Sequence, residues 1–475
     1  MRTQLSSLVL SLSLAACATA TDRLERDDLT PVPRTAAAAE AASAEHRPPP
    51  VLPSAETSAA GELLGEVKKR GSARLLDCVR LAEATSEDLL SGDEDRLQEA
   101  LRRDLALAGI LPSVSFTMAA FVQDRVPDSS SSNFSSASSD RETWAITVRQ
   151  PIFKGFAEFA AMRAANSSAA AREASIDVLR AALSRSVARA FFGVLESDAE
   201  VRALEESEQA DARRVEEMRA RQENGIARRS EVLLLESQLL TTETELRRAR
   251  ARGDDVRVAL DQLIGVELGV PLSDPEGDIG PVPARREALA EAIGARPELR
   301  AAQLSAAAAE ATVDVARAGY WPTLAAVGNY YLGRRNATPF AEATDWDALL
   351  TLEFPIFDGS ATSTRERTAK SDVRKARLAE SNALRNVVSD VESALARLAH
   401  DDELLATAER NVKIATENLG LLSEEFSNGI ASNLEVLTAQ NNLQEARLAF
   451  ERQRLLSRLD RVDLYLALGR KEARR

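Results

Sequence analysis

Two rhythms of apolar residues run along this chain. From Ser113 to Asp124, Val114, Phe116, Met118, Ala120 and Val122 alternate with mostly small or polar residues. Trp144, Ile146 and Val148 do the same among Thr143, Ala145, Thr147 and Arg149. A period of two is that of a strand with one apolar face, so residues 113–124 and 142–150 predict a hairpin whose exposed end is the Ser-rich Pro127 to Asp140. The rhythm returns over residues 323–333 and 346–354, where Trp346, Ala348, Leu350, Leu352 and Phe354 alternate around Asp347, Thr351 and Glu353. Strands of about ten residues are long enough to cross a bilayer when tilted.

Elsewhere the period is helical. Phe156 to Gln222 contains no Pro and only Gly193, and its 67 residues predict a helix about 100 Å long. Phe191, Val194, Leu195, Val201 and Leu204 mark its apolar stripe; Leu384, Val387, Val388, Val391, Leu395 and Leu398 mark a second one. The stretches Ser230–Leu263 and Arg286–Gly319 each predict about 50 Å of helix, and Leu75–Leu111 is helical up to Pro112. Two half-length helices end to end match one long one, which places a continuous rod beside a broken rod. The breaks then fall at mid-height, gathering residues 61–75, 266–285 and the tail from Arg470 into a belt.

The patterns repeat because the chain is a tandem duplication. Pro151-Ile152-Phe153-Lys154-Gly155 has its counterpart in Pro355-Ile356-Phe357-Asp358-Gly359. Asn224-Gly225-Ile226-Ala227 with Glu231-Val232-Leu233 returns as Asn428-Gly429-Ile430-Ala431 with Glu435-Val436-Leu437, at a constant offset of 204 residues. Asn-Gly accepts the positive φ of a helix end, so both sites predict reversals of the rods, at residues 223–230 and 427–434. The first repeat spans residues 61–285 and the second 286–469, leaving 470–475 as a tail.

Composition sharpens the picture at the ends. Aromatic residues are 4% and the net charge is −14, which suits long helices and argues against a nucleic-acid surface. Met1 to Ala16 reads as a signal peptide ending in Leu14-Ala15-Ala16-Cys17. Those four residues resemble a bacterial lipobox, which makes Cys17 a lipidated N-terminus; the competing expectation is cleavage after Ala18-Thr19-Ala20. Residue 18 is Ala rather than Asp, which implies the outer membrane. Residues 17–60, with Ala36–Ala39 and Pro48-Pro49-Pro50, form a low-complexity, disordered tether. Cys78 is left without an intrachain partner and is expected buried on a helix.

The duplicated Pro-Ile-Phe-x-Gly after a strand, the duplicated Asn-Gly-Ile-Ala-x-x-x-Glu-Val-Leu and Arg296-Pro297-Glu298-Leu299 together resemble the TolC-like outer-membrane efflux proteins, from about Leu75 to Gly469. The resemblance implies a mainly α fold with membrane β: a homotrimer whose four-strand sets close a twelve-stranded β-barrel, continued by an α-helical periplasmic tunnel. It implies an outer-membrane channel of a tripartite efflux or type I secretion system, working with a periplasmic adaptor and an inner-membrane transporter. It also implies a pore constriction past the second turn, which puts Glu435 at the narrow end and Glu231 at its equivalent on the outer helical pair; Thr438 stands where a second acid is common. Gly225, Ile226, Ala227, Gly429, Ile430 and Ala431 are the implied adaptor contacts. Turn chemistry and the helix dipole account for the Gly residues and for both Glu residues without any pore. They do not account for Ile226 and Ile430. Glu87 stands where the second repeat has Pro297, which weakens the expectation of a helix break there.

Trp144, Ile146, Val148, Trp346, Leu350 and Leu352 are expected to face lipid, with Thr147, Asp347, Thr351 and Glu353 toward the lumen. Four strands leave two open edges, which hydrocarbon does not tolerate, and self-association closes them. His46 and His400 cannot assemble a metal or catalytic cluster, Asp254-Asp255 and Asp401-Asp402 read as solvated faces, and no phosphate loop is present. No cofactor, metal or enzymatic activity is expected. The alternatives are a periplasmic adaptor lipoprotein, which carries one hairpin among small β modules, and a coiled-coil structural envelope lipoprotein, which needs no strands.

Overall fold

The structure, a computed structural model, describes residues 54–122, 140–273, 281–335 and 346–470. The signal peptide, Cys17, most of the tether, the Ser-rich loop and residues 471–475 lie outside the described residues. Helix begins earlier than the tether reading allows: α1 spans Ser54–Arg70, and its Ala60 and Val67 are buried.

After α1 come α2 (Leu75–Thr85), α3 (Glu87–Ala108), β1 (Ser113–Val122), β2 (Asp140–Lys154), α4 (Ala157–Glu223) and α5 (Arg229–Ile264). The second repeat supplies α6 (Arg285–Ala295), α7 (Pro297–Arg317), β3 (Thr323–Arg335), β4 (Trp346–Glu353), α8 (Ala361–Ser427) and α9 (Asn433–Ala467). Continuous α4 and α8 each run 67 residues. Beside them lie pairs of shorter helices: α7 packs on both α4 and α8, α5 on α4, and α9 on both α8 and α4.

The half-length rods each break once more, at the position of Pro297 in the second repeat and at its counterpart in the first. Ser86 (φ −65°, ψ 116°) separates α2 from α3, and Arg296 (φ −67°, ψ 122°) separates α6 from α7 with the same extended geometry. The first repeat therefore breaks despite Glu87. There the Ser86 hydroxyl accepts the Leu89 N–H at 3.4 Å and starts α3. In the second repeat Pro297 begins α7, where its missing N–H costs nothing.

Each break meets the end of a returning helix. The Thr85 hydroxyl donates to the Ile264 carbonyl at 2.5 Å, where Gly265 (φ 74°) ends α5. Arg296, 5% exposed, donates to the Leu466 carbonyl at 3.3 Å and to Asp390 Oδ2 at 2.6 Å, with Glu298 3.1 Å from its Nε. Gly469 (φ 75°) closes α9 against Arg296, leaving no room for a Cβ. The Arg-Pro-Glu-Leu run is therefore a joint: an arginine bolt, a helix start, its counter-charge and a buried Leu299.

The belt assembles at this level. Ala73 and Leu272 form a parallel bridge, with Ala73 N–H on the Pro271 carbonyl at 3.0 Å and Ser273 N–H on the Ala73 carbonyl at 2.9 Å. Arg470 pairs with Glu291 of α6 at 2.5 Å and holds that carboxyl below its ordinary range. Beneath lies the main core, in which Val67, Leu81, Val187, Phe191, Leu260, Ile264 and Val462 join α1, α2, α4, α5 and α9. Cys78 is buried here on α2, and burial, then the nearby Asp77 and Asp261, push its thiol up to about 12.

The strands form one antiparallel sheet in the order β1-β2-β3-β4. β2 is longer than the alternation predicted and runs through the Pro-Ile-Phe-Lys motif, pairing with β3 as far as Lys154↔Thr323. An irregularity at Pro151/Phe153 accommodates the proline. In the second repeat the same motif lies beyond the end of β4.

Candidate functional site

Two ends of the molecule carry the candidate chemistry. At the sheet, alternation becomes two faces. Phe116, Ile146, Tyr330 and Trp346 form one row across all four strands, and Val114, Val148, Gly328 and Ala348 the next row of the same face. Leu350 and Leu352 continue it, at 64% and 68% exposed. On the opposite face Ser115, Thr147, Asn329 and Asp347 make a polar row. Thr147 donates to Asn329 Oδ1 (2.8 Å), Asn329 Nδ2 to Asp347 Oδ1 (2.8 Å) and Tyr331 to Asp347 Oδ2 (2.6 Å). The outward sides of β1 and β4 pair with no described strand.

At the far end of the rods the two reversals adopt one backbone. Gly225 (φ 73°) and Gly429 (φ 76°) take the left-handed conformation that an Asn-Gly helix end permits. Ile226 N–H donates to the Arg221 carbonyl and Ile430 N–H to the Glu425 carbonyl, both at 2.9 Å. Ala227 and Ala431 are half-buried, while Ile226 and Ile430 stand 76% and 77% exposed. The turns lie side by side: Arg221 stacks 4.7 Å over the Phe426 ring, and Phe426 packs with Ala227 on Val215, Met218, Val232 and Leu235.

Glu231 and Glu435 sit at equivalent places in the first turns of α5 and α9. Glu231 accepts the Arg228 N–H at 2.9 Å. Glu435 accepts the Ser432 N–H at 2.7 Å and the Ser432 hydroxyl at 2.8 Å, while Ser432 Oγ accepts the Glu435 N–H. This is a capping box. The Ser432 backbone N–H, then its hydroxyl, hold the Glu435 carboxyl below the ordinary range, so it is ionised at neutral pH. Both carboxylates thus have a local structural role, and Glu435 remains exposed at the tip.

Duplication could not reveal the buried acids between the rods. Asp211 of α4 is 4% exposed and accepts from Thr242 of α5 (2.8 Å) and Gln440 of α9 (3.3 Å), so one carboxylate ties three helices. Burial pushes its pKa up. Its counterpart in the second repeat is Ala415, which removed the signal of repetition. The solvated reading holds for Asp402 but not for Asp401, which is 3% exposed and accepts from Gln453 at 2.9 Å. Burial first, then the Asp460 charge, push the Asp401 carboxyl up. His400 is exposed, and no His/Cys/Asp/Glu group that could hold a metal occurs among the described residues.

A sheet with one apolar face is carried on long paired helices, and no helix among the described residues is long and apolar enough to cross a membrane. The Outer membrane efflux protein family model matches residues 80–266 and 288–470, one match to each repeat, and the chain belongs to that family. It is 28% identical over 390 residues to protein CyaE of Bordetella pertussis, covering 78% of this chain and 79% of that one. It is 23% identical over 471 residues to the pyoverdine export outer membrane protein OpmQ of Pseudomonas putida, covering 97% and 96%. Its fold matches the crystal structure of VceC from Vibrio cholerae with a TM-score of 0.70 at 19% identity, covering 83% of this chain and 96% of that one. A CusC structure matches at 0.73 and 16%, covering 83% and 92%.

Proposed function

We propose that three copies of this chain close a twelve-stranded barrel in the outer membrane, continued by a helical tunnel, and act as a passive conduit from periplasm to exterior. The observation that carries this reading is the sheet: one face apolar, the other a hydrogen-bonded polar row, and two edges that pair with no strand among the described residues. An open edge in hydrocarbon leaves N–H and C=O groups unpaired at several kcal/mol each, so the sheet requires further copies for closure. Family membership favours the channel over the adaptor and the structural lipoprotein.

The exposed Ile226 and Ile430, held on rigid turns beside Gly225, Ala227, Gly429 and Ala431, suit docking by the tips of a periplasmic adaptor that couples the conduit to an inner-membrane transporter. Cargo is not written into such a wall. OpmQ is named for pyoverdine export and CusC for cation efflux, so related walls serve unlike cargo.

Glu435 gives the conduit an acidic narrow end. Three copies bring three carboxylates around one axis, where they attract cations. Planar-bilayer conductance of purified trimers should favour cations and be blocked by multivalent cations from the periplasmic side. The Ser432 hydrogen bonds lower the Glu435 pKa and the mutual repulsion of three carboxylates raises it, so the preference should be lost as the pH falls and the ring protonates. Glu435→Ala should weaken block, and Glu231→Ala should weaken it less. Unchanged block in the Glu435 variant would leave this residue a helix cap only.

Cys17 is the proposed lipid anchor, adding membrane affinity of about 0.8 kcal/mol per buried methylene. Mass spectrometry of the native protein should find an acylated N-terminal Cys17; a mature N-terminus beyond Ala18 would refute it.

A further inference from the structure

The two repeats meet inside one chain, and their meeting is a template for a contact that a single chain lacks. Gly109-Ile110-Leu111-Pro112-Ser113 has its counterpart in Gly319-Tyr320-Trp321-Pro322-Thr323, 210 residues on, as Pro151–Gly155 has in Pro355–Gly359. Within the chain, β2 and the start of α4 dock on β3 and the end of α7. A Cβ on Gly155 would lie 2.6 Å from the Ala318 carbonyl oxygen and 2.7 Å from Trp321 Cβ, and Arg163 of α4 pairs with Asp314 of α7 at 3.0 Å.

The second repeat carries the same docking element with nothing against it among the described residues. Its backbone is already formed: Gly359 (φ 65°) and Ser360 (φ 69°) reproduce Gly155 (φ 65°) and Phe156 (φ 64°). Yet a Cβ on Gly359 would meet no atom within 4 Å. Phe357 is 85% exposed and Ile356 92%, whereas Gly155 is buried and Phe153 half-buried. β4 ends at Glu353, where β2 runs on to Lys154. The shape is intrinsic to the motif; the partner is what differs.

We propose that β4 and Pro355–Gly359 dock on β1 and the end of α3 of a second copy of this chain, in the register that β2 holds on β3. The observed pairs Gln150↔Ala326, Arg149↔Val327 and Val148↔Gly328 then transpose onto the subunit boundary. Phe354 lies opposite Phe116 of the second copy, Glu353 opposite Thr117, and Leu352 opposite Met118. Phe354, Leu352, Phe116 and Met118 all belong to the apolar face and Glu353 and Thr117 to the polar one, so this register keeps both faces continuous, which a shift by one residue would not. Gly359 would pack on Ala108 and Leu111 of the second copy. Arg367 would reach its Asp104, the counterparts of Arg163 and Asp314. The contact is head-to-tail, so it continues from copy to copy until the ring closes.

This inference rests on the trimeric conduit reading and adds the register to it. Met118→Cys/Leu352→Cys, oxidised mildly in outer membranes, should yield disulfide-linked trimers, and either single variant should not. Directly opposite Cβ atoms are about 4.5–5.5 Å apart and diagonal ones about 7–8 Å, so Met118→Cys/Leu350→Cys and Ala120→Cys/Leu352→Cys should link on the order of tenfold less. A short bifunctional thiol cross-linker should join Asp104→Cys to Arg367→Cys between copies. Preferential linkage of a shifted pair, or intact trimers without linkage of any pair, would overturn the register and leave the trimer standing. Absence of trimers in the unsubstituted protein would overturn the conduit reading itself.

Discussion

Leu350→Arg should strip the outer membrane of assembled trimers, while Thr351→Arg, one residue away, should leave them in place. Leu350 lies in β4 on the apolar face with Leu352 and Trp346, and is 64% exposed in the single chain. If that face meets lipid, an arginine near the bilayer midplane costs about 2–4 kcal/mol, incurred in each of three copies. The sum is comparable to the whole stability of an ordinary domain. Thr351 shares the polar face with Asp347 and pairs with Ala325 of β3, where a guanidinium would project into water. The measurement is heat-modifiable trimer in outer-membrane extracts of the two variants. Equal loss would mean that strand disruption rather than lipid exposure decides assembly. Loss confined to Thr351→Arg would invert the faces.

The contrast between these neighbours was legible in the sequence, because a period of two fixes which residues share a face once a strand is recognised. The long rods were equally legible, since α4 and α8 are uninterrupted apolar stripes bounded by a Gly-containing turn. Three features were not. The break at Ser86 carries no proline, and a Ser cap followed by Glu reads in sequence like many positions inside a helix. The extension of β2 through Pro151 depends on β3 lying beside it, a long-range partner that local pattern does not encode. Asp401 and Asp402 are adjacent and alike in sequence, yet Asp401 is buried beside Gln453 of α9 and Asp402 stands in water. At the tips the capping chemistry of Ser432 and Glu435 follows from the S-x-x-E spacing. The stacking of Arg221 on Phe426 couples the two turns and depends on how the rods pack. Duplication located elements well for the same reason that it missed Asp211: it reports what both copies need, and the links between copies are where they differ.

Those links are concentrated at mid-height, where Phe191 should prove the most costly side chain to remove. It is fully buried on α4 in the core that joins α1, α2, α5 and α9, with the Phe192 ring edge-on at 5.6 Å. Truncation to Ala removes a large apolar contact and leaves a cavity within a cluster to which five helices contribute, for about 3–5 kcal/mol. The counterpart of Phe191 in the second repeat is Leu395, half-buried in its own cluster, so the duplicated copy cannot compensate. The cost should be local. Hydrogen exchange in Phe191→Ala should rise in α1, α2, the end of α5, the middle of α4 and the α9 segment around Val462, while the sheet and the tips around Gly225 and Gly429 keep their protection. Exchange rising uniformly along the rods would show that the helices unfold as one unit, and unchanged exchange at α1 and α2 would mean that the belt is not anchored through this ring.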